Sequence, residues 1–151
     1  MLVVNDLSQS PWPGRRSVVT IGAYDGVHKG HHSVIAAVRR RAETDGAVSA
    51  VVTFDRHPAS VVRPESAPLL LTDLDQKLEL LEATGVDAVV VVPFDRAQAA
   101  EDPRDFIRRV LVGCLGVGHV AVGEDFHFGR NRAGDVSMLR SEEHTSELQS
   151  P

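Results

Sequence analysis

Four runs rich in β-branched and other apolar residues, Ser17–Ile21, Ala47–Phe54, Ala88–Val92 and His119–Val122, recur along the chain with helix-length segments between them. Runs with so little polar alternation suit strands covered on both faces, and strands of that kind belong to parallel sheets. Between them, apolar residues fall at the spacing of one helical face: Val34, Ile35 and Val38 within Ser33–Arg41, then Leu74, Leu78 and Leu81, then Phe106, Ile107, Val110 and Leu111. The punctuation agrees. Thr72 is placed to cap a helix starting at Asp73, Gly85 to stop it, and Asp102-Pro103 to open the next. The order β-α-β-α-β-α-β with right-handed crossovers predicts a doubly wound α/β parallel sheet, with these four strands ordered 3-2-1-4. In that order the loops after Ile21 and Val122 meet where the winding reverses. The chemistry is therefore expected in Gly22–His32 and Gly123–Asp135.

Composition narrows the function classes. A chain of 151 residues, 42% hydrophobic and 25% charged, suits one globular domain. The longest apolar runs, Ala88–Pro93 and Pro68–Leu71, fall far short of the ~20 residues of a membrane-spanning helix. Met1–Asp6 lacks the pattern of a secretory signal, so a cytoplasmic protein without a membrane partner is expected. Cys114 is the only cysteine, which excludes an intramolecular disulfide and predicts a core thiol; Trp12 is likewise expected to pack. A net charge of −5 offers no basic field for nucleic acid and favours small-molecule chemistry. From Arg140 the text Arg-Ser-Glu-Glu-His-Thr-Ser-Glu-Leu-Gln-Ser-Pro has neither period nor turn logic and resembles a translated sequencing adapter. Residues 1–139 are therefore expected to form the domain, incomplete at its C-terminal end, and 140–151 a foreign, disordered tail.

The loop Gly22-Ala23-Tyr24-Asp25-Gly26-Val27-His28-Lys29-Gly30-His31-His32 runs from a strand straight into a helix. Gly22, Gly26 and Gly30 permit tight turns and a close backbone approach to a ligand, and the helix start offers free N–H groups and a positive dipole to phosphate. His28 and His31, three apart, stand on one side of that start. The glycine spacing is neither the dinucleotide fingerprint nor a P-loop, which removes support for hydride transfer and γ-phosphoryl transfer. A zinc reading of the two histidines lacks a third ligand nearby.

His-x-Gly-His at a strand-to-helix turn resembles the signature of nucleotidyltransferases. The longer string Gly22-x-Tyr24-Asp25-Gly26-Val27-His28-x-Gly30-His31 resembles the FAD synthetase module of prokaryotic bifunctional riboflavin kinase/FAD synthetases. The likeness continues through Thr53-Phe54-Asp55-Arg56-His57-Pro58, Leu71-Thr72, Lys77-Leu78-Glu79-Leu80-Leu81, Val92-Pro93-Phe94-Asp95 and Val122-Gly123-Glu124-Asp125-Phe126-His127-Phe128-Gly129. It implies a Rossmann-like nucleotidyltransferase fold and an FMN adenylyltransferase that moves AMP from ATP to FMN with Mg²⁺. It implies that His28 and His31 are catalytic, that Gly22, Ala23, Tyr24, Asp25, Gly26 and Gly30 bind ATP, and that Phe54, His57, Asp125, Phe126 and Phe128 face the flavin. A riboflavin kinase domain is expected in cis. The class also carries a second phosphate-binding segment, Ile-Ser-Ser-Thr-x-x-Arg in its usual form, and Ser137-Met138-Leu139-Arg140 does not fit it.

Several residues support two readings. Phe126 and Phe128 either present aromatic faces to a planar ring or cover the sheet edge. His57 is either a flavin or phosphate contact or a loop histidine held by backbone. Asp25 either orients its loop or sits near the Mg²⁺ that accompanies ATP. Two other functions compete with the first: a nucleotidyltransferase for another acceptor, and a nucleotide-binding fragment without turnover.

Overall fold

The computed structural model describes residues 1–24, 29–55, 73–93, 95–121 and 147–149. Among the described residues six strands form one parallel sheet: β1 (Leu2–Val4), β2 (Ser17–Ile21), β3 (Val48–Phe54), β4 (Ala88–Val92), β5 (Val117–Ala121) and β6 (Glu147–Gln149). Their order is β1-β4-β3-β2-β5-β6. The four predicted strands thus lie as expected, and the winding reverses between β2 and β5. Each of β2, β3 and β4 is buried along its whole length, as a strand covered on both faces must be.

Alternate residues of each strand feed two cores. On one face Val19, Ile21, Ala50, Val52, Phe54, Val90, Val92 and Val120 pack with Trp12 and with Phe106, Ile107, Val110, Leu111 and Cys114. On the other, Val51, Val89 and Val91 meet Tyr24, Ile35 and Leu81, while Val18 and Ala121 meet Val38 and Ala42. The second face is covered by α1 (Lys29–Asp45) and α2 (Leu74–Glu82). Beyond β4 lie α3 (Arg96–Ala100) and α4 (Pro103–Phe106), and α4 continues as a π-helix over Ile107–Cys114. Leu115 N–H donates to the Val110 carbonyl at 3.0 Å, five residues back. Among the described residues no helix is long and apolar enough to cross a membrane.

The cap of α2 is Asp73, not Thr72: its carboxylate accepts from Gln76 N–H at 2.8 Å while the Gln76 side chain accepts from Asp73 N–H at 3.0 Å. Thr72 lies outside the described residues. Gly85, with φ +81°, follows the end of α2 as expected. Asp102 caps α4 through Arg104 N–H, 2.9 Å. Cys114 and Trp12 are core residues, the indole N–H donating to the Leu115 carbonyl at 2.8 Å. Burial pushes the Cys114 thiol up from its ordinary pKa, with the Asp6 charge acting the same way and Arg109 opposing. The expectation that 140–151 carries no structure does not hold at 147–149. These residues pair with His119–Ala121 along the edge of β5. Ladder pairing uses backbone groups alone, so it needs no side-chain pattern.

Candidate functional site

The site begins where β2 leaves the sheet. Gly22 N–H still pairs with the Val52 carbonyl at 3.0 Å, and the chain then turns over the C-terminal edge. A Cβ on Gly22 would stand 3.0 Å from Tyr24 Cε2, so the absence of a side chain lets the Tyr24 ring fold back. Tyr24 itself has φ +51°, a left-handed conformation uncommon outside glycine. Strain of that kind, of order 1–3 kcal/mol, persists only where the surroundings over-determine it. Here the ring is 5% exposed and packs with Ile35, Val89 and Val91, and its hydroxyl shares a 2.6 Å hydrogen bond with Thr20 Oγ1. Burial pushes the phenol up to about 12, against the opposing pull of the Thr20 hydrogen bond.

His31 lies in the first turn of α1, half-buried, with its ring centroid 4.5 Å from that of Tyr24 and the planes inclined by 48°. The helix places this imidazole beside the turn at the point where β2 and β5 separate. Gly22, Ala23, Tyr24 and His31 are therefore brought together at the switch point. Gly30 lies in the first turn of α1, while Asp25, Gly26 and His28 lie outside the described residues. So do His57, Asp125, Phe126 and Phe128, and with them the whole second loop. Phe54 ends β3 on the same rim, but its ring is buried in the core on the opposite sheet face from Tyr24.

A lysine that the sequence reading left without a role sits at the centre of this rim. Lys77 on α2 is 7% exposed, and its ammonium donates to the Ala23 carbonyl at 2.9 Å, the Phe54 carbonyl at 2.9 Å and Thr53 Oγ1 at 3.3 Å. Thr53 Oγ1 in turn donates to the Ala23 carbonyl at 3.0 Å. The signal was available: Lys77 lies three residues after Leu74 and four before Leu81, so it shares the face that Leu81 buries. Asp55 follows on the rim, half-buried, its N–H paired with the Val92 carbonyl at 3.1 Å.

A family model described as FAD synthetase matches residues 11–150 of this chain. The bifunctional riboflavin kinase/FMN adenylyltransferase of Pseudomonas fluorescens is 40% identical over 126 residues, which is 83% of this chain and 40% of the relative. The protein of the same name from Escherichia coli strain K12 is 39% identical over 137 residues, 91% of this chain and 43% of the relative. That of Bacillus subtilis strain 168 is 35% identical over 125 residues, 82% of this chain and 39% of the relative. The chain spans less than half the length of these curated relatives. A crystal structure described as a macrolide-efflux protein from Streptococcus pneumoniae superposes on 99% of this chain and 50% of its own, with TM-score 0.83. At 21% identity that likeness concerns the fold alone.

Proposed function

Because the chain belongs to the FAD synthetase family, we propose that it carries the FMN adenylyltransferase part of a bifunctional flavin-cofactor enzyme, joining AMP from ATP to FMN. The observation that carries this reading is His31 in the first turn of α1, its ring tilted against that of Tyr24 on a glycine turn at the switch point of a parallel sheet. In such folds ligands sit outside the carboxyl ends of the strands at that place.

A phosphate oxygen of FMN attacks the α-phosphorus of ATP, the bond from that phosphorus to the bridging oxygen of the β-phosphate breaks, and pyrophosphate leaves. The protein's work is positioning and charge stabilisation rather than covalent chemistry. His31, together with His28, offsets charge that grows on the α-phosphate oxygens and the leaving pyrophosphate. The turn that follows Gly22 and the start of α1 receive the phosphates on backbone N–H groups. Mg²⁺, which supplies charge neutralisation on the triphosphate, takes hard oxygen donors and keeps several of its waters. Asp25, in the loop, and Asp55, the half-buried carboxylate on the described rim, are the side chains suited to hold it. Phe54, His57, Asp125, Phe126 and Phe128 are the flavin side of the same reading, and a riboflavin kinase domain in cis and a cytoplasmic setting complete it. Residues 1–139 carry these site residues.

The test is ATP binding by calorimetry and product analysis by chromatography. The expected outcome is saturable ATP binding by the chain. FAD and pyrophosphate should form from ATP and FMN once a segment with the Ser/Thr-x-x-Arg motif is joined after Leu139. Riboflavin with ATP should yield no FMN. Faster turnover of a pantetheine or nicotinate nucleotide than of FMN would overturn the acceptor, and ATP binding without any transfer would reduce the chain to a nucleotide-binding module.

A further inference from the structure

The rim contains a buried cation whose position packing does not explain. A leucine or methionine at 77 would extend the apolar stripe of Leu74, Leu78 and Leu81 without the cost of taking an ammonium out of water. What Lys77 does instead is gather polar groups from two crossing segments. It holds the carbonyl of Ala23 in the turn after β2, and the Phe54 carbonyl and Thr53 hydroxyl at the end of β3. The Ala23 carbonyl accepts twice, from Lys77 and from Thr53, so its direction is fixed from inside the protein.

That direction has a covalent consequence. The peptide bond is planar and trans, so the carbonyl of Ala23 and the N–H of Tyr24 belong to one rigid unit and point opposite ways. Anchoring the carbonyl beneath the turn drives the N–H away from Lys77. We propose that Lys77 is a positioning residue for nucleotide binding: by holding the Ala23 carbonyl inward it directs the Tyr24 N–H outward as a donor to the phosphates of the bound nucleotide. The role rests on the nucleotide reading above, but the orientation of the peptide unit does not.

The chain has one tyrosine, so labelling alanine with carbonyl ¹³C and tyrosine with ¹⁵N gives a single carbonyl–amide resonance, that of the Ala23–Tyr24 unit. Titration with ATP and Mg²⁺ is expected to shift this resonance in the wild-type chain. Lys77→Met is expected to move it before any nucleotide is added and to raise the Kd for ATP at least about tenfold. Lys77→Arg, which keeps a cationic donor, should restore part of both. Thr53→Val, which removes the second donor to the same carbonyl, should move the resonance in the same sense, and it decides the matter if Lys77→Met does not fold. An unmoved resonance in a folded Lys77→Met chain overturns the proposal. So does a moved resonance with unchanged ATP affinity, which leaves Lys77 a merely structural tie. If ATP fails to bind even the wild-type chain, the nucleotide reading falls, and the resonance still decides whether Lys77 sets the turn.

Discussion

The two rims of the sheet are built on opposite terms. At the N-terminal rim each polar group closes on a near neighbour: Ser17 Oγ and Trp12 Nε1 both donate to the Leu115 carbonyl, at 2.7 and 2.8 Å, and Ser49 and Asp87 exchange two hydrogen bonds of 3.0 Å. That rim also carries Arg16, whose guanidinium donates to the Val117 carbonyl at 3.4 Å, so its polar side chains are spent on tying strand ends together. The C-terminal rim holds a buried ammonium, a tyrosine in a left-handed conformation and an imidazole at a helix start. Each of these costs stability locally, and they converge where the winding reverses. Hydrogen bonds between strand ends mark closure, whereas strain and buried charge mark the rim at which the proposed nucleotide site lies.

The contrast yields four tests, in falling order of effect. Trp12→Ala, at the closing rim, should cost about 3–5 kcal/mol of unfolding free energy, because it empties a core site and removes one of the two donors to the Leu115 carbonyl; denaturant melting reads it. It should leave turnover per folded molecule unchanged. His31→Ala, at the reactive rim, should do the reverse: kcat about 10²–10³-fold lower, or ~2.7–4 kcal/mol, in the form that turns over, with a small change in melting. Retention of half the turnover would remove His31 from the chemistry. The third test uses pH. The phenol of Tyr24 is raised from 10.0 to about 12 by folding, so its contribution is full below pH 10 and is lost as pH rises toward 12. Two units correspond to about 2–3 kcal/mol, and a Tyr24→Phe chain should lack this alkaline loss. Last, Ser49→Ala removes the hydroxyl that accepts from Asp87 N–H and should cost about 1 kcal/mol without touching ATP binding.

Legibility followed the same division. The strands of the core were readable because Val crowds them, and connection length made them parallel, while their order followed the usual winding of such sheets. β1, three residues long, and α3, five residues long, fall below the length at which period can be counted. The π-helix escaped because Phe106, Ile107, Val110 and Leu111 fall at spacings that an ordinary helix buries equally well. β6 escaped because its pairing is backbone alone. At the site, glycine spacing exposed the turn and the histidines, since both are chemical types tied to a backbone requirement. Thr20 and Thr53 were hidden as hydroxyls inside apolar runs, and although Lys77 shares the face of Leu81, only the fold shows which groups the three serve.

The first strand settles how the molecule can be held. β1 runs parallel to β4, with Leu2 beside Ala88 and its N–H on the Asp87 carbonyl at 3.0 Å, so Met1, itself exposed, emerges at the sealed rim. A tether or affinity handle attached there projects from the side opposite His31. Molecules anchored to a bead or a sensor surface through Met1 would all turn the Tyr24 turn toward the bulk solution, and their substrates would arrive without passing the support.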